Sequence, residues 1–270
     1  MTSICINAET LCRHNKGLEQ LTYALHQISR NACQYEVKEI VILGNDKVEE
    51  SKILTICAIL QYFITPKYLI KEVFRNSINK LPNKVFKKCY KMPIIGKLKD
   101  YLQGTKDNRE GISIIKNIKR RKRDDGKVIK MNKNEKSTKF IQIGEKETIE
   151  INEDNGIPLG VRVSINIKDK KIVNGEDIWG YVGYNIRIAK DYTSIFTEAG
   201  GDGYEKGILV KVGINGNEKP RSDLSKSTGS RIIYCFGCNG KEMEELCDEI
   251  VVGYGNRVED AIVSVLSVIT

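Results

Sequence analysis

Two turns near the end of the chain have the composition of a ligand-binding edge. CFGCNG follows the apolar run RIIY, and GYGNR follows IVV. Glycines let a backbone approach a ligand closely, and both turns are rich in them: Gly237, Gly240, Gly253 and Gly255. Helices predicted to begin at Lys241 and Val258 add free N–H groups, which suit an anion or a cofactor. The simpler interpretation is that these glycines only make tight strand-to-helix turns.

Other residue patterns exclude several kinds of chemistry. The sequence has no P-loop, no G-x-G-x-x-G turn, no H-E-x-x-H helix and no G-x-S-x-G elbow. His26 falls within a predicted helix and is interpreted as structural, and Asp202 has the setting of a turn residue. Cys235 and Cys238 form a C-x-x-C, but neither a second pair nor a suitable histidine completes a zinc set. We therefore predict no metal site and expect the eight cysteines to be reduced core residues.

Positive charge is concentrated in one segment of the chain. Of a formal net charge of +9, residues 116–146 supply twelve Lys/Arg against four Asp/Glu, a net +8. A block of this kind suggests contact with phosphates. A solvated loop, or a nuclear targeting patch in KRRKR, explains the same run.

The elements around the turns predict an α/β fold interrupted by an all-β segment. Short continuous apolar runs alternate with helices in 1–106 and again in 195–270, as in a mainly parallel sheet covered on both faces. Residues 107–194 alternate apolar and polar positions instead, most clearly at 161–167 and 184–188. We therefore predict a discontinuous α/β domain with a small antiparallel barrel or sandwich inserted in it.

Helical spacing is clearest in four stretches. Apolar residues recur at three and four within 16–35 and again after Val258. KILTICAILQYF predicts a helix that stops before Pro66, and KEMEELCDE predicts one after the first glycine turn. No apolar run reaches the length of a membrane helix, and the first residues lack a secretory signal, so we expect an intracellular protein.

Short stretches in a fixed order carry a family resemblance. They are SICINAE, EIVIL, LQYFITPKYLIKEVF, REGISII, IPLGVRVSINI, WGYVGYNIRIA, IFTEA, DGYEKG, YCFG and GYGNRVEDAI. This set, which runs over nearly the whole chain, resembles the SPOUT class of α/β-knot RNA methyltransferases, in the branch with an inserted OB-like domain. The resemblance implies a trefoil knot in the parallel sheet, S-adenosyl-L-methionine bound in that knot, and a homodimer.

The resemblance also assigns residues to the cofactor and to the reaction. The cofactor turns would comprise Gly213, Asn215, Phe236, Gly237, Gly240, Ile250, Gly253, Gly255, Asn256 and Arg257. Arg30 and Arg257 are predicted to orient the RNA or the target base electrostatically. Glu259 is predicted to act as a base or to orient one, although a first-turn acid that stabilises its helix explains Glu259 equally well.

The inserted segment is predicted to hold the RNA. OB folds bind single strands through a positive groove with aromatic platforms. Its candidate phosphate contacts are Lys119, Arg120, Arg121, Lys122, Arg123 and Lys139, and its candidate platforms are Phe140, Trp179, Tyr181 and Tyr184. Trp179 and Tyr184 fit the core of the small sheet equally well.

The hypothesis is methyl transfer to a base in RNA, a uridine in rRNA or in another structured RNA, with a nuclear or nucleolar location. Three departures from the family leave an alternative open. The segment after Arg257 is short, Tyr254 stands where glutamine is common, and Cys238 replaces a glycine. The alternative is a catalytically weak or inactive RNA-binding or assembly factor of the same fold. Methylation of a protein side chain is a third possibility, against which the basic insert argues.

Overall fold

A computed structural model describes residues 2–44, 47–75, 83–114, 137–145, 147–152, 156–197, 207–213, 232–238, 241–254 and 257–269. Its strands are β1 Thr2–Asn7, β2 Glu39–Leu43, β3 Asn108–Ser113, β4 Ser137–Thr138, β5 Phe140–Gly144, β6 Glu147–Glu150, β7 Ile157–Pro158, β8 Arg162–Asn166, β9 Lys171–Val173, β10 Asn185–Ala189, β11 Gly207–Gly213, β12 Ile232–Phe236 and β13 Cys247–Tyr254. Its helices are α1 Ala8–His14, α2 Leu18–Gln34, α3 Glu50–Phe63, α4 Ile70–Arg75, α5 Asn83–Tyr90, α6 Lys99–Gln103, α7 Gly175–Trp179, α8 Tyr192–Thr197, α9 Lys241–Leu246 and α10 Val258–Ile269, with a 3₁₀ turn at Gly96–Leu98.

The chain forms two compact units. The first comprises 1–64, 81–98 and 183–270, and the second comprises 65–80 and 99–182. These boundaries differ from the division predicted from the sequence, 1–106 with 195–270 around an insert at 107–194. As a statement about domains that fold by themselves, that division stays a prediction.

The first unit contains a six-stranded sheet in the order β10-β2-β1-β12-β11-β13, with every neighbouring pair parallel. The mainly parallel sheet predicted from the apolar runs is therefore confirmed. Its central strands are buried on both faces, as a sheet covered by helices requires. The positions that alternate along β1 and β2 have no exposed surface: Ile4, Ile6, Ile40 and Ile42, and Cys5 and Val41 between them.

Two amphipathic helices were predicted correctly in this unit. In α2 the buried positions Leu21, Leu25, Ile28 and Ala32 follow one another at three and four residues, so they form one apolar stripe. The helix α10 begins at Val258, as predicted, and packs against α2.

Strand β10 corrects one prediction. The alternation at 184–188 predicted an antiparallel strand of the inserted sheet, but β10 pairs in parallel with β2, with Ile186 opposite Ile40. The physical reason is that β10 lies at an edge of the six-stranded sheet, where part of the strand faces solvent and the apolar pattern is interrupted. Arg187 secures β10: its Nε donates to Glu39 at 3.0 Å, and its other nitrogens donate to the carbonyls of Ser194 and Ile195.

Strand β13 corrects another prediction. KEMEELCDE predicted a helix through Glu249, but α9 ends at Leu246 and β13 begins at Cys247. The segment pairs in parallel with β11, with Glu249 opposite Ile208. Tertiary pairing thus overrides a local helical pattern here.

The second unit contains a five-stranded antiparallel sheet in the order β6-β5-β3-β8-β9 and a small sheet of β4 and β7. The predicted antiparallel pairing is confirmed, whereas the OB-like barrel stays a prediction. Ile141, Ile143, Ile151 and Ile165 form its apolar core. Beside the sheet, the guanidinium of Arg162 lies 3.1 Å from Glu110 and also contacts Tyr101, so this buried charge is paired.

The cysteines agree with the expectation that they are reduced core residues. Every cysteine is free, and six of them are buried. Within the described ranges, no helix combines the length and the apolar character that crossing a bilayer requires. Small buried thiols of this kind act as core residues.

His26 is a buried histidine in the first unit. The ring is 5% exposed, lies edge-on to Phe63, and its Nε2 is 3.0 Å from the carbonyl oxygen of Pro93. Burial lowers the pKa of His26, the Pro93 hydrogen bond raises it in part, and the charge of Arg30 lowers it. The structural role predicted for His26 is therefore confirmed.

A histidine whose folded pKa is lowered stabilises the fold above its unfolded pKa of about 6.5 and loses that contribution as pH falls. When the pH falls from 7.5 to 5.5, we expect the free energy of unfolding to decrease less in His26→Gln than in the wild type, as measured by urea unfolding. His14, the other histidine, is exposed, so His14→Gln is the control and should keep the wild-type pH dependence. Equal pH dependence in all three proteins would contradict this account.

Candidate functional site

Four adjacent strands bring the predicted turns to one edge of the parallel sheet. Phe236, the last residue of β12, lies opposite Ile6 of β1 on one side and Val210 of β11 on the other. On the next strand, Gly253 lies opposite Val212 of β11. Because parallel strands end at the same edge, the carboxyl ends of β1, β12, β11 and β13 share that edge, where ligands bind in open α/β sheets.

The predicted cofactor residues fall on this edge in part. Phe236 is fully buried, Gly237 directly follows it, and Gly213 ends β11 opposite Tyr254. Ile250 lies further back in β13, opposite Leu209. The remaining candidates of the turns lie outside the described residues: Asn215, Gly240, Gly255 and Asn256.

Gly237 occupies a position that a side chain does not fit. Its φ is +70°, which favours glycine, and an added Cβ would lie 2.8 Å from the Cβ of Thr10. The hydroxyl of Thr10 donates to the Gly237 carbonyl at 2.9 Å. Thr10 is a residue that the sequence analysis missed, because no local pattern reveals that α1 packs against a turn more than two hundred residues later.

The start of α1 is also fixed at this edge. Asn7, the last residue of β1, is buried, and its side chain accepts a hydrogen bond from the backbone N–H of Glu9 at 2.9 Å. This N-cap turns the chain directly from the strand into the helix that carries Thr10. The Gly237 turn is therefore held by an element from the other end of the chain.

The C-x-x-C lies in the core beneath this turn. Cys235 and Cys238 are fully buried in a cluster with Cys5 and Met243, and the Cys238 thiol donates to the carbonyl of Phe236 at 3.6 Å. Burial raises the pKa of Cys235, and hydrogen bonding with Cys5 together with burial raises that of Cys238. In the part of the chain that the structure describes, no group of three or more His, Cys, Asp or Glu could hold a metal ion.

Glu259 and Arg257 lie together at the start of α10. The Glu259 side chain is 8% exposed, and its Oε1 is 3.9 Å from an Arg257 nitrogen. Its second oxygen, Oε2, is buried and has no hydrogen-bond partner in the structure as described. The N-terminus of α10 favours a negative charge there, but a buried carboxylate oxygen without a donor costs free energy. A ligand N–H or O–H would supply the missing donor.

Arg30 is not joined to that pair. It is exposed on α2, and its charge acts on His26. Although α2 packs against α10, the described residues show no hydrogen bond or ion pair between Arg30 and Glu259. Its predicted part in the reaction stays a prediction.

The predicted RNA contacts of the insert are described only in part. Lys139 is half-buried, and five of the candidates lie outside the described residues: Lys119, Arg120, Arg121, Lys122 and Arg123. Tyr181 is 3% exposed, which is too buried for the platform predicted there. Tyr184 is also 3% exposed, so of the two roles that the sequence left open for it, platform or core, the structure shows a core position. Tyr184 hydrogen-bonds Ser29 at 2.6 Å, so it is a core residue of the first unit.

Gly237→Ala tests whether this turn needs glycine. We expect the variant to lower the free energy of unfolding by about 1–3 kcal/mol, because a left-handed residue costs about 1–2 kcal/mol and Thr10 must also move. Gly96→Ala is the matched control, since its new Cβ meets nothing within 4 Å. Urea unfolding measures both variants, and equal stability of the two would show that the turn tolerates a side chain.

Two proteins of Saccharomyces cerevisiae are similar to the chain. "Putative methyltransferase YGR283C" is 28% identical over 227 residues, which cover 78% of this chain and 60% of that protein. "Putative methyltransferase YMR310C" is 30% identical over 226 residues, which cover 77% of this chain and 68% of that protein. The chain thus spans about three fifths to two thirds of the length of these relatives.

A family model gives broader coverage than either relative. The model described as "Putative RNA methyltransferase" matches residues 1–262. This range includes the parallel sheet, the antiparallel sheet and the start of α10. Because the match covers nearly all of the 270 residues, the chain belongs to this RNA methyltransferase family.

Proposed function

We propose that the protein transfers a methyl group from S-adenosyl-L-methionine to a base in RNA. One observation carries the proposal beyond family membership: the turn after β12 and the start of α10 follow β12 and β13, the two strands that flank β11 in one sheet, and α10 carries a buried carboxylate oxygen with no donor in the described structure. Such an arrangement suits a ligand that presents an N–H or O–H to Glu259.

The chemistry requires little of the protein besides alignment. The methyl donor is already activated as a sulfonium, so the site must hold donor, methyl and acceptor in line and help to remove a proton. The turn at Gly237 offers backbone hydrogen-bonding groups to the cofactor. Arg257, beside Glu259, supplies a positive charge that attracts the RNA or stabilises negative charge on the target base. The acceptor that we propose is a uridine of rRNA or of another structured RNA.

Three features complete the proposal. The last segment, with α10, passes through an earlier loop as a trefoil knot and forms one wall of the cofactor pocket. Two copies of the chain form a dimer through this unit. The basic run in the insert, which also fits a nuclear or nucleolar location, binds RNA in an OB-like domain. The family resemblance supports all three, and the parallel sheet is the kind of sheet that the first requires.

Two measurements separate an enzyme from a silent RNA-binding relative. Calorimetry with S-adenosyl-L-methionine and its demethylated product should show binding of both. Mass analysis of nucleosides from RNA incubated with protein and methyl donor should then reveal a methylated base. If calorimetry detects no binding at millimolar donor while RNA binding is intact, the protein is a binding or assembly factor. The burial of Cys238 where relatives of the resembled class have glycine favours that second candidate.

Glu259→Gln tests the carboxylate. We expect a loss of roughly 10²–10⁴-fold in the methylation rate, the usual contribution of acid–base catalysis, with donor affinity changed much less. Asp260→Asn is a matched control because Asp260 is also a first-turn acid but is exposed. If both variants lose only the few tenths to about 1 kcal/mol of stability that a helix-terminal charge supplies, and both keep full activity, Glu259 serves the helix alone.

The basic run of the insert makes a separate prediction about salt. Replacing residues 119–123 by glutamine should weaken RNA binding and reduce the slope of log K against log salt by roughly 0.7 for each lost phosphate contact on a single strand. Lys170→Gln with Lys171→Gln removes two exposed charges of the second unit as a control. Fluorescence anisotropy over 50–200 mM salt measures the slopes. An unchanged slope would remove this run from the RNA-binding site.

A further inference from the structure

An open pocket of about 630 Å³ lies in the first unit, apart from the turns described above. Leu18, Phe86 and Tyr90 provide its apolar lining, and four lysines surround them: Lys84, Lys87, Lys88 and Lys91. We call this surface the α5 pocket. None of its residues is among those assigned to the cofactor, the reaction or the basic run.

The lysines form one stripe because of their spacing. Lys87, Lys88 and Lys91 follow Lys84 by three, four and seven residues, so the four lysines share one face of α5 and of the turn that continues it. Val85 and Cys89 are buried on another face and fix the helix on the unit. From 83 to 99 the chain carries six lysines and no acidic residue, so the local charge is strongly positive.

Acidic neighbours neutralise only a part of this charge. Lys88 is 2.7 Å from Glu19, and this ion pair lowers the pKa of Glu19. Lys84, Lys87 and Lys91 are exposed and form no ion pair with any residue in the described ranges. Three cations therefore face solvent beside an apolar surface.

The aromatic residues determine which polyanion fits. Tyr90 is 70% exposed at the end of α5, and Phe86 lies one turn before it on the same side of the helix. An exposed ring beside a lysine stripe is the combination by which proteins hold single-stranded nucleic acid, with bases stacked on rings and phosphates held by lysines. A stretch of acidic protein or an anionic lipid surface would use the charges but would not need a flat ring.

We propose that the α5 pocket binds single-stranded RNA, with an unpaired base stacked on Tyr90 and phosphates held by Lys84, Lys87 and Lys91. The proposal rests on the proposed function in taking RNA as the substrate class. It adds a second RNA-binding surface, on the same unit as the parallel sheet and separate in sequence from residues 119–123.

The experiment measures binding of the full chain to a fluorescein-labelled twelve-nucleotide oligouridylate by fluorescence anisotropy over 50–200 mM salt. Tyr90→Ala should weaken binding about 5- to 100-fold, which corresponds to a stacking contribution of about 1–3 kcal/mol, and should leave the salt slope unchanged. The triple variant Lys84→Gln/Lys87→Gln/Lys91→Gln should weaken binding and reduce the salt slope by about 2, or roughly 0.7 for each contact.

A control triple removes the same charge elsewhere on the first unit. Lys16→Gln/Lys47→Gln/Lys190→Gln changes three exposed lysines that lie outside 83–99 and do not line the pocket, and it should keep a slope close to that of the wild type. Circular dichroism and thermal unfolding check that every variant is folded. If the control triple and the pocket triple have equal slopes, general charge explains the binding and the proposal is overturned.

Two competing probes identify other occupants. The proposal is wrong if two results occur together: the pocket triple loses binding to a polyglutamate peptide or to phosphatidylserine vesicles, and Tyr90→Ala binds the oligonucleotide as the wild type does. The pocket then binds an acidic protein or a membrane. Titration of the same variants with S-adenosyl-L-methionine separates the two proposals. Loss of RNA binding in Tyr90→Ala supports the α5 pocket even if the chain binds no methyl donor, whereas unchanged binding overturns the pocket proposal alone.

Discussion

The parallel pairing of β12 between β1 and β11 is the constraint on which the candidate site depends. It places a strand from near the end of the chain beside the first strand, with Cys235 opposite Cys5 and Phe236 opposite Ile6. Only this register brings the turn at Gly237 against Thr10 and sets the ends of β11 and β13 next to it. A slip of one residue would exchange the two buried faces of β12, so core packing and site geometry are fixed by the same pairing.

Two features at this edge restrict what fits there and are therefore informative about function. A backbone at φ +70° suits glycine but would strain any other residue, whereas a buried carboxylate oxygen without a described donor lowers stability. The two are supported differently. The turn is supported by a side chain from α1, whereas Glu259 is supported by the helix N-terminus and by Arg257 at 3.9 Å, which leaves its second oxygen free for a ligand.

Periodicity in the sequence was enough to predict the parallel sheet, the antiparallel sheet and the helices α2 and α10, because each buries a regular face. It failed for β10, since an edge strand of a parallel sheet is partly exposed (Ile188 is 37% exposed) and alternates like an antiparallel one. It failed for the start of β13, where pairing with β11 overrides helix-forming residues. The glycine turns were visible in the sequence, but Thr10 was not, because its partner is distant along the chain and only strand order brings them together.

The distribution of charge separates two tasks that the total charge of +9 conceals. Net charge points to residues 116–146 alone, since the rest of the chain is nearly neutral in sum. The α5 pocket shows that a neutral sum still permits a local stripe, because helical spacing collects four lysines on one face while acidic residues lie elsewhere. Lysine contacts to phosphates and stacking on an exposed ring position a strand without reading its sequence. If the α5 pocket holds RNA in this way, other groups must select the target base. The buried Glu259 carboxylate can accept a hydrogen bond from one base edge, so it is the described residue best suited to that selection.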